Sequence, residues 1–158
     1  MNSKNPPKIK IGKISDLDRV FEIEQKCFPG KIGYSKIQLK SLILHLDSTF
    51  LIGKQEGNIQ AFIIVIYKPG SSIGRIETID VDPNFQNRGI GLKLLKAAEK
   101  KMKLKGILYS QLEVSEGNKV AQELYKKAGY HITENIKDYY TFEHYNTYNA
   151  LRMVKRLF

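Results

Sequence analysis

The sequence predicts an α/β (α+β) fold: one mixed central sheet with helices on both faces, in a single domain spanning residues 1–158. Three observations lead there. The chain has 158 residues, a length that fits one domain and leaves little room for two. Its hydrophobic share of 42% and charged share of 27% match an ordinary globular domain, which disfavours disorder, collagen and coiled coil. Its periodicity changes repeatedly between strand-like and helix-like, in the order β-α-α-β-β-β-α-β-α-β-β.

The elements follow in turn. Lys8 to Ile14 alternates Lys and Ile and reads as an edge-type strand. Ser15 is placed to cap a helix carrying Leu17, Val20, Phe21 and Ile23 on one side, with Asp16 and Asp18 in its first turn; Pro29-Gly30 breaks it. Ser35 opens a second helix whose apolar side is Ile37, Leu39, Leu42, Ile43 and Leu46. Phe50 to Gly53 and Ile59 to Tyr67 are strands joined at Gln55-Glu56-Gly57-Asn58, a hairpin signal. Ile73 to Val81 is the next strand, closed by Asp82-Pro83-Asn84. Gly91 to Lys103 is an amphipathic helix with Leu92, Leu95, Ala98 and Met102 inward, ended by Gly106. Ile107 to Val114 is a strand, Asn118 to Ala128 a helix stopped by Gly129, and Tyr130 to Ile136 a strand. A polar, aromatic stretch from Asp138 to Tyr148 precedes the last strand, Asn149 to Leu157.

The longest apolar runs, Ala61 to Tyr67 and Ser41 to Leu46, are far short of the roughly 20 residues that span a bilayer. The opening MNSKNPPKIK has no apolar core of a secretory signal. Cys27 is the only cysteine, so no intrachain disulfide or Cys-based zinc site can form. These features predict a cytoplasmic protein with no membrane partner and no metal. The net charge of +10 favours polyanionic partners, although heavy Lys use also reflects genome composition.

The most informative stretch is Ile79-Asp80-Val81-Asp82-Pro83-Asn84-Phe85-Gln86-Asn87-Arg88-Gly89-Ile90-Gly91-Leu92. A strand ends, a short turn follows, and two glycines open a helix. The first amides of a helix have no internal acceptor, and with the helix dipole they attract an anion. Glycine lets a phosphate approach the backbone with no Cβ in the way. A tight turn with close helix–sheet packing is the competing explanation. Two other phosphate loops are excluded. A Walker A loop needs Gly-Lys-Ser/Thr, and Gly91 is followed by Leu92-Lys93; a dinucleotide fingerprint needs a third glycine where Leu94 stands.

Gln86-Asn87-Arg88-Gly89-Ile90-Gly91 resembles the Gln/Arg-x-x-Gly-x-Gly/Ala loop of the Gcn-related N-acetyltransferase (GNAT) superfamily, and the element order resembles that fold over nearly the whole chain. Within it the chain resembles the ribosomal-protein-alanine and archaeal protein N-terminal acetyltransferases (RimI-like). That likeness rests on Cys27-Phe28-Pro29 with Tyr34-Ser35, on Leu112-Glu113-Val114 through Tyr125 to Tyr130, and on Asp138-Tyr139-Tyr140. The resemblance implies a splayed parallel strand pair, Ile73 to Val81 and Ile107 to Val114, with acetyl-CoA between them. It implies that Ile79 and Val81 offer backbone groups to the pantetheine arm and that an amide near Val81 polarises the thioester carbonyl. The amides of Asn87, Arg88, Gly89, Ile90, Gly91 and Leu92 would hold the pyrophosphate, and the Arg88 side chain either adds charge there or is solvated. Asn118 would contact the cofactor arm, besides capping its helix.

The resemblance further implies Glu113 as general base and Tyr125 as proton donor to the departing CoA thiolate. The chemistry asks for a base because only a neutral amine attacks a thioester; an α-amine, with a pKa of about 7.7–8.0, needs far less help than a lysine at about 10.4. Tyr34, Tyr139 and Tyr140 match positions lining the substrate groove in peptide-acetylating relatives, although the aromatic cluster also suits a packed hairpin. Glu24 and Glu77 are further carboxylates near the expected site, and Glu77 would share the role of base. His45, His131 and His144 show no metal spacing and receive no role, and Cys27 is read as packing.

The expected function is thus acetyl-CoA-dependent N-acetylation of protein N-termini by direct attack in a ternary complex, with ribosome association as an accompanying expectation. Two alternatives stay open: the acceptor is a small-molecule amine, a polyamine or a protein lysine, or the chain is a basic nucleic-acid-binding module. The run Lys93, Lys96, Lys100, Lys101, Lys103 and Lys105 is the best support for the latter, but it falls mainly on the outer side of an amphipathic helix.

Overall fold

The computed structural model describes residues 5–158, so the first four residues of the opening segment lie outside it. The chain forms β1 (Lys8–Ile11), α1 (Leu17–Cys27), α2 (Lys36–Ile43), β2 (Ser48–Gln55), β3 (Asn58–Tyr67), β4 (Ile73–Val81), α3 (Ile90–Leu104), β5 (Tyr109–Ser115), α4 (Lys119–Lys127), β6 (His131–Ile136) and β7 (Ala150–Arg156). The seven strands make one sheet in the order β1-β2-β3-β4-β5-β7-β6, antiparallel except for β4 beside β5.

The predicted order of elements holds throughout. Phe50, Ile52, Phe62 and Ile64 pack with Leu17, Val20, Ile23 and Leu39 on the α1/α2 face. Leu51, Ala61, Ile63 and Val65 pack with Leu94, Leu95, Ala98 and Met102 on the α3 face. The period-2 alternation of strands sends neighbouring residues of β2 and β3 to opposite cores. Burial on both faces explains why Ala61 to Tyr67 reads as a continuous apolar run.

Local differences have local causes. β1 ends at Ile11, and a 3-10 turn, Ile14–Asp16, precedes α1. Its closing group is Asp16, whose Oδ2 accepts from Lys13 N at 2.8 Å, and not the predicted Ser15. Ser35 does cap α2: its Oγ accepts from Gln38 N, and Gln38 reaches back to Ser35 N at 2.8 Å. The apolar side of α2 is narrower than predicted, because Ile37 and Leu46 face outward and Leu39 alone is fully buried. Glu56 and Gly57 both take positive φ in the β2–β3 hairpin, as a type I′ turn requires. At the ends of α3 and α4, Ile107 N bonds to Met102 O and Tyr130 N to Tyr125 O; both follow the Schellman pattern.

The feature that builds the site is a parting of the sheet. β4 and β5 pair only through Ile73–Tyr109, Gly74–Ser110 and Arg75–Gln111. On its other side β4 carries a bulge: Ile64 pairs with Thr78 and Val65 with Ile76, leaving Glu77 as the extra residue. A bulge bends its strand and raises its twist. β4 therefore stays on β3 as far as Val81 while β5 stays on β7 along seven pairs, and a wedge opens between them.

Candidate active site

The wedge leads into a cavity of about 420 Å³ lined from both faces of the sheet. Its walls include Glu24, Tyr34, Arg75, Glu77, Thr78, Ile79 and Asp80 on one side and Glu113, Asn118, Tyr125, Tyr139 and Tyr140 on the other.

Asp82 N donates to Gln60 O of β3 at 2.8 Å. Backbone groups alternate direction along a strand, so the amides of Val81 and Ile79 point the other way, into the wedge. Just beyond, Asn87 (φ 63°) and Gly89 (φ 78°) turn the chain into α3. Gly89 suits that left-handed position, and the space where its Cβ would stand is open. The first bond of α3 runs from Lys93 N to Gly89 O at 3.2 Å, which leaves the amides of Ile90, Gly91 and Leu92 without helical partners. Gly91 sits close to α4: a Cβ there would lie 3.3 Å from Leu124 Cδ2. Arg88 is exposed and lies over the Phe85 ring at 5.4 Å. Unpaired strand amides and a free helix N-terminus, in line, match an extended coenzyme arm ending in a diphosphate.

Asn118 Oδ1 accepts from Ala121 N at 3.2 Å and caps α4, and the residue also lines the cavity. Tyr125, on the next turns of α4, is 8% exposed and packs edge-on to Tyr130 with ring centroids 6.1 Å apart. Burial, then the Asp80 carboxyl facing it, pushes its phenol well above the ordinary value. The phenol therefore stays protonated at neutral pH.

Glu113 lies on β5, opposite Arg152 of β7. Its side chain is 3% exposed, and Arg75 Nη2 approaches Oε1 at 2.7 Å. Arg75 Nη2 also donates to Tyr139 Oη at 2.7 Å, and the Tyr139 hydroxyl donates to Glu113 Oε1 at 3.3 Å. Arg75 Nε is 3.3 Å from Glu77, which accepts from the Tyr34 hydroxyl at 3.0 Å. Burial works most strongly against the Arg75 charge, but Glu113, Tyr139, Glu77 and Tyr34 together outweigh it and raise its pKa. Glu77, Glu113 and Tyr139 are thus gathered on one guanidinium that sequence reasoning missed, with Tyr34 joined to it through Glu77. Arg75 and Glu77 sit two apart on a strand, a spacing that puts both on one face and was the available signal. Arg152, with Nε 3.7 Å from Glu113 Oε2, had no such local signal.

Tyr140 meets Tyr139 edge-on at 4.9 Å and stacks on His144 at 3.8 Å. His144, given no role from sequence, is therefore part of the cavity wall. The aromatic stretch is an irregular loop held to the end of β5: Ser115 Oγ donates to His144 O at 2.7 Å, and Asn149 Nδ2 donates to Glu116 at 3.1 Å. Gly117 is the close approach. A Cβ there would overlap the Tyr145 carbonyl oxygen and lie 2.8 Å from Tyr145 Cβ. Gly117→Ala should therefore displace this wall, costing about 1–3 kcal/mol as overpacking does. It should raise the acceptor KM while leaving acetyl-CoA affinity nearly unchanged, as steady-state kinetics beside calorimetric titration would show.

Cys27 is half-buried, and its Sγ donates to Val81 O at 3.2 Å. Burial, then Asp80, Glu24 and Asp82, raise its pKa and keep it a thiol, which agrees with a packing role. Among the described residues no group of three or more His, Cys, Asp or Glu side chains is arranged to hold a metal ion, and no helix is long and apolar enough to cross a membrane.

Known proteins resemble this chain in sequence and architecture. The chain is 31% identical over 140 residues to a [ribosomal protein bS18]-alanine N-acetyltransferase of Haemophilus ducreyi, covering 87% of this chain and 92% of that protein. It is 25% identical over 147 residues to an N-alpha-acetyltransferase of Sulfurisphaera tokodaii, covering 84% and 85% of the two chains. The crystal structure of the ribosomal-protein-S18-alanine N-acetyltransferase from Escherichia coli has the same fold, with a TM-score of 0.84 at 23% identity over 95% of this chain and 93% of that one. Residues 17–130 match the model of the acetyltransferase (GNAT) family. With the parted strands and the glycine loop at the head of α3, that match makes the chain an N-acetyltransferase of the GNAT family, with acetyl-CoA as its acyl donor.

Proposed function

We propose that the protein acetylates the α-amino group of protein N-termini by direct attack in a ternary complex. The observation that carries this reading is the continuity of the cavity, which joins an aromatic wall of Tyr34, Tyr139 and Tyr140 to the wedge between β4 and β5. A peptide entering along the aromatic wall brings its terminal nitrogen to the place where an acyl group threaded through the wedge would lie. The names of the Haemophilus and Sulfurisphaera relatives support the same acceptor.

Acetyl-CoA, when bound, supplies an activated acetyl thioester. The wedge amides of Ile79 and Val81 would hold its arm, and an amide near Val81 would polarise the thioester carbonyl. Asn118 contacts the arm from α4. The amides from Asn87 to Leu92 hold the diphosphate, with Arg88 free to add charge. Glu113 takes a proton from the reacting nitrogen, directly or through water, with Arg75 holding it in place and Glu77 sharing the role of base. Tyr125 gives a proton to the leaving sulfur; because a thiol of pKa near 8.5 leaves readily, this step contributes moderately. Tyr34, Tyr139 and Tyr140 offer stacking area with a hydrogen-bonding tip to the first peptide residues. The net charge of +10 and the exposed lysines along α3 favour an anionic neighbour such as the ribosome, and a cytoplasmic location goes with that reading.

The test pairs binding with transfer. Acetyl-CoA at 100 times its Kd should stabilise the fold by about 2.7 kcal/mol in thermal melts. Peptide libraries with free and blocked α-amines, read by mass spectrometry, should gain 42 Da (about; one acetyl group replacing one hydrogen) only on free α-amines. Transfer to lysine or to a small amine in place of the α-amine would overturn the acceptor assignment.

A further inference from the structure

The buried carboxyls of this protein are compensated, with one exception. Asp82 has Arg19 at 2.7 Å and Lys26 at 3.5 Å, Glu99 has Lys155 at 2.8 Å, and Glu113 has Arg75 at 2.7 Å. Glu24 and Asp80, each 2% exposed, have no cation among the described residues. They meet at Thr78, whose hydroxyl lies 3.1 Å from both Glu24 Oε1 and Asp80 Oδ1. One hydroxyl proton can serve only one of those contacts, which leaves the other carboxyl oxygen without a donor. Two buried carboxyls thus compete for one hydroxyl with no cation to offset their charge. Glu24 Oε2 is occupied, accepting from Tyr34 N at 3.0 Å. Asp80 Oδ2 is buried with no partner, and Asp80 lines the cavity. The ionisable groups facing Asp80 are Glu24 and Cys27 of α1, Tyr125 of α4 and Tyr145 of the β6–β7 loop, none of them a cation.

A buried anion without a counter-ion is costly and is retained where a cation arrives. We infer that the Glu24–Asp80 pair receives the acceptor's ammonium group and takes its first proton, with Asp80 Oδ2 as the contacting atom. Glu113 is poorly suited to that first contact, because two guanidiniums already stand against it. The inference rests on the acetylation reading above and divides the proton traffic in two. The ammonium gives one proton to Asp80 Oδ2, and the amine becomes nucleophilic. As the N–C bond forms and the C–S bond breaks, the nitrogen's second proton passes to Glu113 and the sulfur gains one from Tyr125. The pair, Glu113 and Tyr125 then re-equilibrate with solvent.

Burial, then the hydrogen-bonded Glu24 carboxyl beside it, holds Asp80 well above the usual carboxyl range. A group raised by folding stabilises fully below its unfolded value, near 3.9 for Asp, and that contribution is lost as pH rises through the folded value. The full-length wild type, Asp80→Asn and Glu24→Gln are compared in two measurements. In melts without substrate, wild-type melting temperature should fall as pH rises from about 4 toward neutrality, and the Asp80→Asn profile should be flatter and at least as high at pH 7. In kinetics, Asp80→Asn should lower kcat/KM for a peptide α-amine by roughly 10–100-fold at pH 7, within the range of acid–base contributions. That loss should shrink above the amine's pKa of about 8, where the amine arrives neutral. Glu24→Gln, whose amide oxygen can still accept from Tyr34 N, should behave alike. An equal loss at pH 7 and pH 9, or an Asp80→Asn melt below wild type at pH 7, overturns the inference. If the wild type acetylates some other amine, the acceptor reading fails while the same comparison, run on that amine, still judges the pair. If it acetylates nothing, the melts decide.

Discussion

Glu113→Gln is expected to lower kcat/KM by about 10²–10³-fold, or about 3–4 kcal/mol of transition-state stabilisation, with the affinity for acetyl-CoA unchanged. Glutamine keeps the side chain's length and an oxygen for Arg75, so the wall of the cavity stays in place. What it loses is the ability to take up a proton. Tyr125→Phe removes the phenolic donor while keeping the ring against Tyr130, and should cost about tenfold, since the thiolate is a good leaving group unaided. Single-turnover kinetics at saturating acetyl-CoA separate this chemistry from product release. Wild-type rates in Glu113→Gln would remove that carboxylate from the proton path.

Arg75→Gln should have the largest effect on stability. The guanidinium serves Glu113, Glu77 and Tyr139 together, and Glu113 is 3% exposed at its side chain. Breaking a buried pair by removing one partner costs about 3–5 kcal/mol, but Arg75 itself is about a third exposed and screened, so about 2–3 kcal/mol is the expected loss. For a domain of this size that lowers the melting temperature by about 5–10 °C. Turnover should fall as well, because Glu113 and Tyr139 lose the group that orients them. Arg75→Lys keeps the charge but cannot reach three partners in a plane, and should recover stability only in part. An unchanged melting temperature would mean that solvent already screens the network.

Much of the fold was legible because its signals are local. The Ser35–Gln38 box, the Glu56-Gly57 turn, the break at Pro29-Gly30 and the apolar run of β3 each depend on residues within one element. The same holds for the head of α3, where Gly89 adopts the conformation that a loop entering a helix N-terminus requires. The errors were at edges where neighbours compete. Ser15 was expected to cap α1, but the cap position is Asp16, whose side chain closes the preceding 3-10 turn instead. Ile37 and Leu46 fit a helical stripe, but α2 touches the core only over Leu39 and the half-buried Leu42 and Ile43.

The site divides differently. Glu113, Tyr125, Tyr34, Tyr139 and Tyr140 were named from motifs, and tertiary structure brings all five to one cavity. The partners that set their chemistry were not named. Arg152 reaches Glu113 only because β5 pairs with β7, and Asp80 meets Glu24 only because α1 lies across β4. Residue pattern alone determined the order of the strands and helices and the glycine loop, since period, caps and turns are properties of neighbouring residues. Which carboxyl keeps a cation and which stands without one were decided by the packed chain, because charge compensation depends on groups far apart in sequence and close in space.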